Sequence, residues 1–270
     1  MNKGKKLVSI IMSTHNDALY ISKCIESVLN QTLTNFEYLI INDKSTDDTQ
    51  DIVTQYKKRD NRIRLYNNGN NLGVTASLNK LLVRAKGDFI ARIDGDDYWT
   101  DRNKLKIQVD FLKKNNHYSL VGTWAKVISE HGDYLFSLEY PVKDSVIRSR
   151  LLRENCFITS SVMIRGIDMR RAGNFNITNR TAQDYDMWLM LGRRRLLANI
   201  PKFMVNYRQN PKGISQTKYS QQIADTVRII KQNKNHYPGY TSAMILWNIR
   251  RYYPSWLRGK LSFKFKKVFI

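Results

Sequence analysis

Two hydrophobic periods alternate along the chain. Leu7-Val8-Ser9-Ile10-Ile11-Met12 and Tyr38-Leu39-Ile40-Ile41 are short runs rich in β-branched residues that end in polar ones, the pattern of strands buried on both faces. Between them the spacing widens to that of helices. Ala18 to Asn30 places Ile21, Ile25, Val28 and Leu29 on one face, and Val74 to Ala85 does the same with Leu78, Leu81 and Leu82. Through the first ~115 residues this alternation predicts βαβ units around a parallel sheet. From Tyr118 the texture changes. Ser119–Ile128, Ile158–Ile164 and Lys202–Tyr207 read as strands; Ser145–Arg153, Asp184–Leu197 and Tyr219–Asn233 read as helices.

Polar residues collect where the early strands stop. Phe89-Ile90-Ala91-Arg92-Ile93 runs directly into Asp94-Gly95-Asp96-Asp97, three carboxylates in four residues. Carboxylate oxygens are hard ligands that suit Mg²⁺ or Mn²⁺ bridging substrate phosphates, although Asp-x-Asp alone equally describes a solvated turn. Its companions are Thr14-His15-Asn16 after the first strand and Asn42-Asp43 after the second, leading into Ser45-Thr46-Asp47-Asp48, where Thr46 or Ser45 offers an N-cap. Ligands of open α/β sheets bind outside the carboxyl ends of the strands, so Thr14, Asp43 and Asp94 are expected to converge.

This ordered set resembles the inverting family 2 glycosyltransferases of GT-A fold. It comprises Thr14-His15-Asn16, Asn42-Asp43-Lys44-Ser45-Thr46-Asp47, Asn71-Leu72-Gly73, Ser77-Leu78-Asn79, Ala85-Lys86-Gly87, Asp94-Gly95-Asp96-Asp97 and Gln183-Asp184-Tyr185-Asp186-Met187-Trp188-Leu189. The resemblance spans roughly residues 7 to 215. It implies a Rossmann-like, mostly parallel central sheet flanked by helices, with residues 1–115 as the nucleotide-sugar half and 116–217 as the acceptor half; beyond it, helical spacing and charge mark 218–270 as a basic amphipathic helical extension.

The resemblance also implies roles. Thr14, His15, Asn16, Asp43 and Asp94 would bind the nucleotide sugar, with Asp43 accepting from the base; a uridine donor is expected, while thymidine and guanosine stay open. Asp96 would ligate Mg²⁺ or Mn²⁺, with Asp94 and Asp97 secondary, and Arg208 could meet phosphate. Asp184 would be the catalytic base, with Asp186 as its rival two residues along the helix. Each has a purely structural alternative: Asp43 as a helix cap, Asp184 as a partner of the helix dipole, Arg208 as a solvated cation. Gln183, Thr159, Asn210 and Lys44 depart from the pattern, where relatives carry Glu, His, His and Gly.

Charge changes the picture at the far end of the chain. The 270 residues carry a formal net charge of +22, which implies an anionic partner. No acid follows Asp225, and from Met244 onward Trp247, Tyr252, Tyr253 and Trp256 are interleaved with Arg250, Arg251, Arg258, Lys260, Lys264, Lys266 and Lys267. The mixture suits an anionic membrane surface or single-stranded nucleic acid. A lipid-linked glycan acceptor favours the membrane, so no nucleic acid is expected. A basic nucleic-acid-binding protein and a catalytically inactive GT-A scaffold are the alternatives. Two cysteines, Cys24 and Cys156, form no disulfide framework, and no 18-residue apolar stretch or signal-like segment occurs. The expectation is a cytoplasmic enzyme, peripheral on the inner face of the cell membrane.

Overall fold

The computed structural model describes residues 7–210, 213 and 217–252. Nine strands form one curled sheet: β1 (Val8–Thr14), β2 (Phe36–Asn42), β3 (Ile63–Asn67), β4 (Phe89–Arg92), β5 (Tyr98–Trp99), β6 (Tyr118–Ile128), β7 (Tyr134–Leu138), β8 (Met163–Arg165) and β9 (Leu196–Arg208). The helices are α1 (Ile21–Leu29), α2 (Thr49–Arg59), α3 (Val74–Arg84), α4 (Lys104–Lys114), α5 (Asp144–Arg150), α6 (Gly166–Ala172), α7 (Gln183–Gly192), α8 (Tyr219–Gln232) and α9 (Tyr240–Arg251).

Strand order is β3-β2-β1-β4-β8-β6-β9-β5, with β7 beside β6. The first four are parallel in register, Thr14 opposite Asn42 and Ile11 opposite Arg92, so their polar carboxyl ends open on one crevice. Beyond β4 the directions mix. β8 runs antiparallel to both β4 and β6, and β9 runs parallel to β6. The two-residue β5 pairs back on β9, Tyr98 opposite Asn206, and thereby carries the acidic turn to the end of β9.

Both faces of the sheet are covered, because alternate residues of a strand point to opposite sides. Val8, Ile10 and Met12 of β1 join Ile25, Tyr38 and Trp99 in one core; Ile11 joins Leu39, Leu78, Trp188 and Ile229 in the other. At about 25 cal/mol per Å² of apolar surface, such fully buried side chains each contribute about 2 kcal/mol, and these runs are strands because both sides of each are occupied.

Four expectations are corrected. Ile158–Ile164 is not one strand: Thr159–Ser161 forms a 3₁₀ turn and only Met163 onward pairs. Ser161 Oγ donates to the Ile158 carbonyl at 2.7 Å, the local bond by which a hydroxyl competes with a ladder. The helix expected to reach Leu197 ends at Gly192, and Leu196 and Leu197 open β9. Neither Ser45 nor Thr46 caps α2; Asp48 holds the cap position, and Asp47 accepts from the Thr49 amide at 3.1 Å. Trp247 is not a free interfacial ring. Its indole Nε1 donates to the Leu152 carbonyl at 3.1 Å and it packs on the second core. The extension is helical through Arg251, and its remainder from Tyr253, including Trp256 and the last five cations, lies outside the described residues.

Candidate active site

Thr14, Asp43 and Asp94 meet at the crevice, and much of the family-like pattern is spent on fixing them. The Asp43 carboxylate, 2% exposed, accepts from Asn68 Nδ2 at 2.8 Å, the Leu72 amide at 2.9 Å and the Gly73 amide at 2.8 Å. Gly73 has φ +83°, a conformation that glycine adopts without strain. Asp43 therefore anchors the Asn71-Leu72-Gly73 loop, and Oδ2, with one bond to the described residues, retains acceptor capacity. His15 is held at both ring nitrogens, by the Asp43 carbonyl at 3.0 Å and Asn71 Nδ2 at 3.2 Å, an arrangement that suits the Nδ1–H tautomer. Asn16, at φ +59°, accepts from the Thr46 amide at 2.8 Å and ties the two loops together.

Lys44 has φ +63° and an exposed side chain. The glycine of relatives thus answers a backbone requirement, and lysine meets it at a cost of about 1 kcal/mol. Ala85-Lys86-Gly87 is structural. The Lys86 amide donates to buried Glu37 at 2.7 Å and the Gly87 amide to Ser9 Oγ at 2.8 Å. Asn79 clamps the Phe175 backbone through both its amide and its carbonyl, at 3.0 and 2.7 Å.

The acidic turn gathers a carboxylate that the sequence reading missed. Asp17 accepts from Thr14 Oγ1 at 2.7 Å and the His15 amide at 3.3 Å, and its Oδ2 lies 2.5 Å from where a Cβ on Gly95 would stand. Any side chain between the acids would have to displace the Asp17 carboxylate, and that glycine was the available signal. Burial, reinforced by Asp94 and Asp47, pushes Asp17 up to about 6. Burial together with the charges of Asp17 and Asp94 pushes Asp96 up to about 7. Asp97, 1% exposed, is raised well above the carboxylate range, mainly by burial. It accepts from Ser160 Oγ at 2.5 Å and the Arg208 amide at 2.7 Å, which marks it as scaffold. Asp94 pairs with Arg92 at 3.1 Å, while Arg92 Nε and Nη1 are buried without hydrogen-bond partners among the described residues and the guanidinium lies over the Phe175 ring.

Asp184 stands across the crevice. Its Oδ2 accepts from Thr159 Oγ1 at 2.8 Å and more loosely from Asn155 Nδ2 at 3.5 Å. The next residue, Ser160, bonds Asp97 and accepts from the Asp94 amide at 3.0 Å, so one 3₁₀ turn links Asp184 to the acidic cluster. Asp186 points elsewhere: it is 5% exposed and bound to Asn179 at 2.6 Å. Arg208 is not a solvated cation. It is 7% exposed, bonds the carbonyls of Asp96, Ser129 and Glu130 at 3.0, 3.0 and 2.7 Å, and stacks on Tyr20 at 4.4 Å. Asn210 Nδ2 approaches Asp96 Oδ2 at 3.4 Å. Two of the departures, Thr159 and Asn210, thus contact Asp184 and Asp96.

Hard oxygen donors beside buried, proton-retaining carboxylates fit a divalent cation. No group of three or more His, Cys, Asp or Glu among the described residues forms a metal cage by itself, so such a cation would complete its shell with phosphate oxygens and water.

A sheet parallel through β3-β2-β1-β4, with acids at the carboxyl ends of its strands and a curled continuation through β9, is the α/β arrangement of the GT-A fold. The description Glycosyl transferase family 2 matches residues 9–184, and the chain belongs to that family. It is 31% identical over 217 residues to the Escherichia coli protein WfgD, a UDP-Glc:α-D-GlcNAc-diphosphoundecaprenol β-1,3-glucosyltransferase, covering 80% of this chain and 82% of that one. Among solved structures, Staphylococcus aureus TarS 1–349 in complex with UDP-GlcNAc superposes with a TM-score of 0.71 at 18% identity, covering 88% of this chain and 69% of that 1–349 chain. The mannosyltransferase PcManGT of Pyrobaculum calidifontis, in complex with GDP-Man and Mn²⁺, gives 0.68 at 16% identity over 93% of this chain and 70% of its own.

Proposed function

We propose that this glycosyltransferase moves a hexose-type sugar from a UDP-sugar to a lipid-linked or growing surface-glycan acceptor, with inversion, while peripheral on the inner face of the membrane. The observation that carries this reading is the Asp184–Thr159–Ser160–Asp97 linkage, which holds a half-buried carboxylate opposite the donor-side acids. Residues 1–115 would bind the donor and 116–217 the acceptor. Asp43 Oδ2 would accept from the uracil imide, with Thr14, His15 and Asn16 lining the base and Asp94 meeting the ribose. Similarity to WfgD and TarS supports uridine and a lipid-linked acceptor; the GDP-Man bound by PcManGT keeps guanosine as the test's alternative.

Asp96 would hold a divalent cation directly, with Asp94 and Asp97 behind it and Arg208 Nη2 available to phosphate. When bound, Mg²⁺ or Mn²⁺ neutralises charge on the departing diphosphate. Asp184 takes the proton of the acceptor hydroxyl as its oxygen attacks the anomeric carbon and the bond to the diphosphate breaks. One displacement of this kind inverts the configuration.

UDP with Mn²⁺ should raise the melting temperature, since a ligand bound only by the native state stabilises it by mass action. GDP should do so less, and Asp96→Ala should remove the metal-dependent part. Equal stabilisation by UDP and GDP, or a response indifferent to Asp96→Ala, overturns the donor assignment.

A further inference from the structure

α9 covers the second core with one side only. Ala243 is fully buried and Met244 and Trp247 pack inward. The outer side carries Ile245, Ile249 and Tyr252, which are 58%, 51% and 80% exposed. Spaced i, i+4 and i+7, they line up along the helix, whereas exposed apolar residues elsewhere are mostly scattered. The end of this helix lies beside the acceptor side of the crevice. Arg250 Nη1 donates to the Arg153 carbonyl at 3.4 Å, and two residues later Asn155 reaches toward Asp184. Beyond the stripe, residues 253–270 add five lysines and arginines and no acid.

We propose that this face of α9 rests on an anionic lipid bilayer, with its apolar stripe at headgroup depth and the acceptor side of the crevice turned toward the membrane. The orientation rests on the lipid-linked acceptor of the preceding reading. The stripe supplies the apolar contact, and the cations that follow it in the sequence favour an anionic surface, each cation near such a surface contributing about 1 kcal/mol. A second basic surface exists, a cavity of about 570 Å³ lined by His117, Arg148, Arg193, Arg194 and Arg195. It lies by the first residues of β6 and β9, at the opposite end from Arg208. Docking there would turn the crevice away from a lipid-linked acceptor.

Flotation of the full chain with vesicles of phosphatidylcholine alone, or with 30% phosphatidylglycerol, reads the docking directly. The wild type should float with the anionic vesicles and be released by salt. Ile245→Ser/Ile249→Ser should reduce flotation at least fivefold while UDP binding by calorimetry is retained, and Arg193→Gln/Arg194→Gln should float like the wild type. Unchanged flotation of the α9 variant, or loss only in the arginine variant, overturns the proposal. Ile249→Cys carrying an environment-sensitive fluorophore gives a second reading, since Cys24 and Cys156 are buried. Its emission should shift to the blue on anionic vesicles; no shift counts against the proposal. Flotation requires no donor, so loss of UDP binding in the wild type would sink the catalytic reading without deciding this one.

Discussion

The two walls of the crevice are built differently. On the donor side Asp43, His15 and Asn16 are tied into neighbouring loops by bonds of 2.8–3.2 Å, made mostly by residues of the family-like pattern. Across the crevice Asp184 has one short contact, from Thr159, and one at the 3.5 Å limit. The wall made of the family-like pattern is thus the more densely bonded of the two. The facing wall holds its carboxylate through the Thr159 hydroxyl, with Asn155 at the limit of a hydrogen bond.

The sharpest break of this contrast is Asp184→Asn, which should lower transfer by roughly 10³-fold while leaving UDP binding intact, as measured by initial rates and calorimetry. A dead Asp186→Asn enzyme beside an active Asp184→Asn enzyme would move the base to Asp186. On the rigid wall, Asp43→Ala strips acceptors from two loop amides and should cost about 3 kcal/mol in denaturant unfolding as well as weakening UDP. Full stability with weakened UDP would show that Asp43 reads the base without anchoring the loop.

Proton linkage tests the acidic cluster. Asp17 and Asp96 are raised to about 6 and about 7, so the native state holds protons that the unfolded chain releases near pH 4. Their stabilising effect is fully present below about pH 4 and is lost as pH rises through 6 to 7 in the metal-free protein. Melting temperatures across that window should fall, and UDP with Mn²⁺ should flatten the slope. A metal-free slope of the opposite sign would contradict the buried placement of these carboxyls.

Thr159→Val should lower kcat about tenfold with UDP affinity unchanged, a loss of about 1.4 kcal/mol, and Thr159→Ser should restore it. The smallest effect is at the surface. Lys44→Gly should stabilise the fold by about 1 kcal/mol, because the left-handed backbone at φ +63° favours glycine.

Strands β1, β2 and β4 were legible because local runs encode them: β1 and β2 follow from uninterrupted β-branched stretches, with Thr14 and Asp43 at the polar residues that end them, whereas the short β3, β5 and β7 carry no such run. Asp17 was not, because the Gly95 turn it packs beside lies far along the chain, and next to a helix start it looks like a cap. The 3₁₀ turn was hidden by flanking apolar residues, since a hydroxyl's choice between a ladder and its own backbone is settled by tertiary partners such as Asp97 and Asp184. Trp247 read as interfacial because composition does not say which side of a helix faces protein; the Leu152 carbonyl does.

Cys24 lies in the first apolar core and Cys156 in the second, both fully buried. Each side of the sheet therefore carries its own intrinsic reporter. Reaction with a thiol reagent requires local opening of the side concerned, so two labelling rates, resolved by peptide mass, would measure the opening free energies of the two layers separately. Donor binding should slow Cys24, whose thiol donates to the Asp94 carbonyl at 3.4 Å, more than Cys156. The chain thus comes with a pair of built-in clocks for its own breathing.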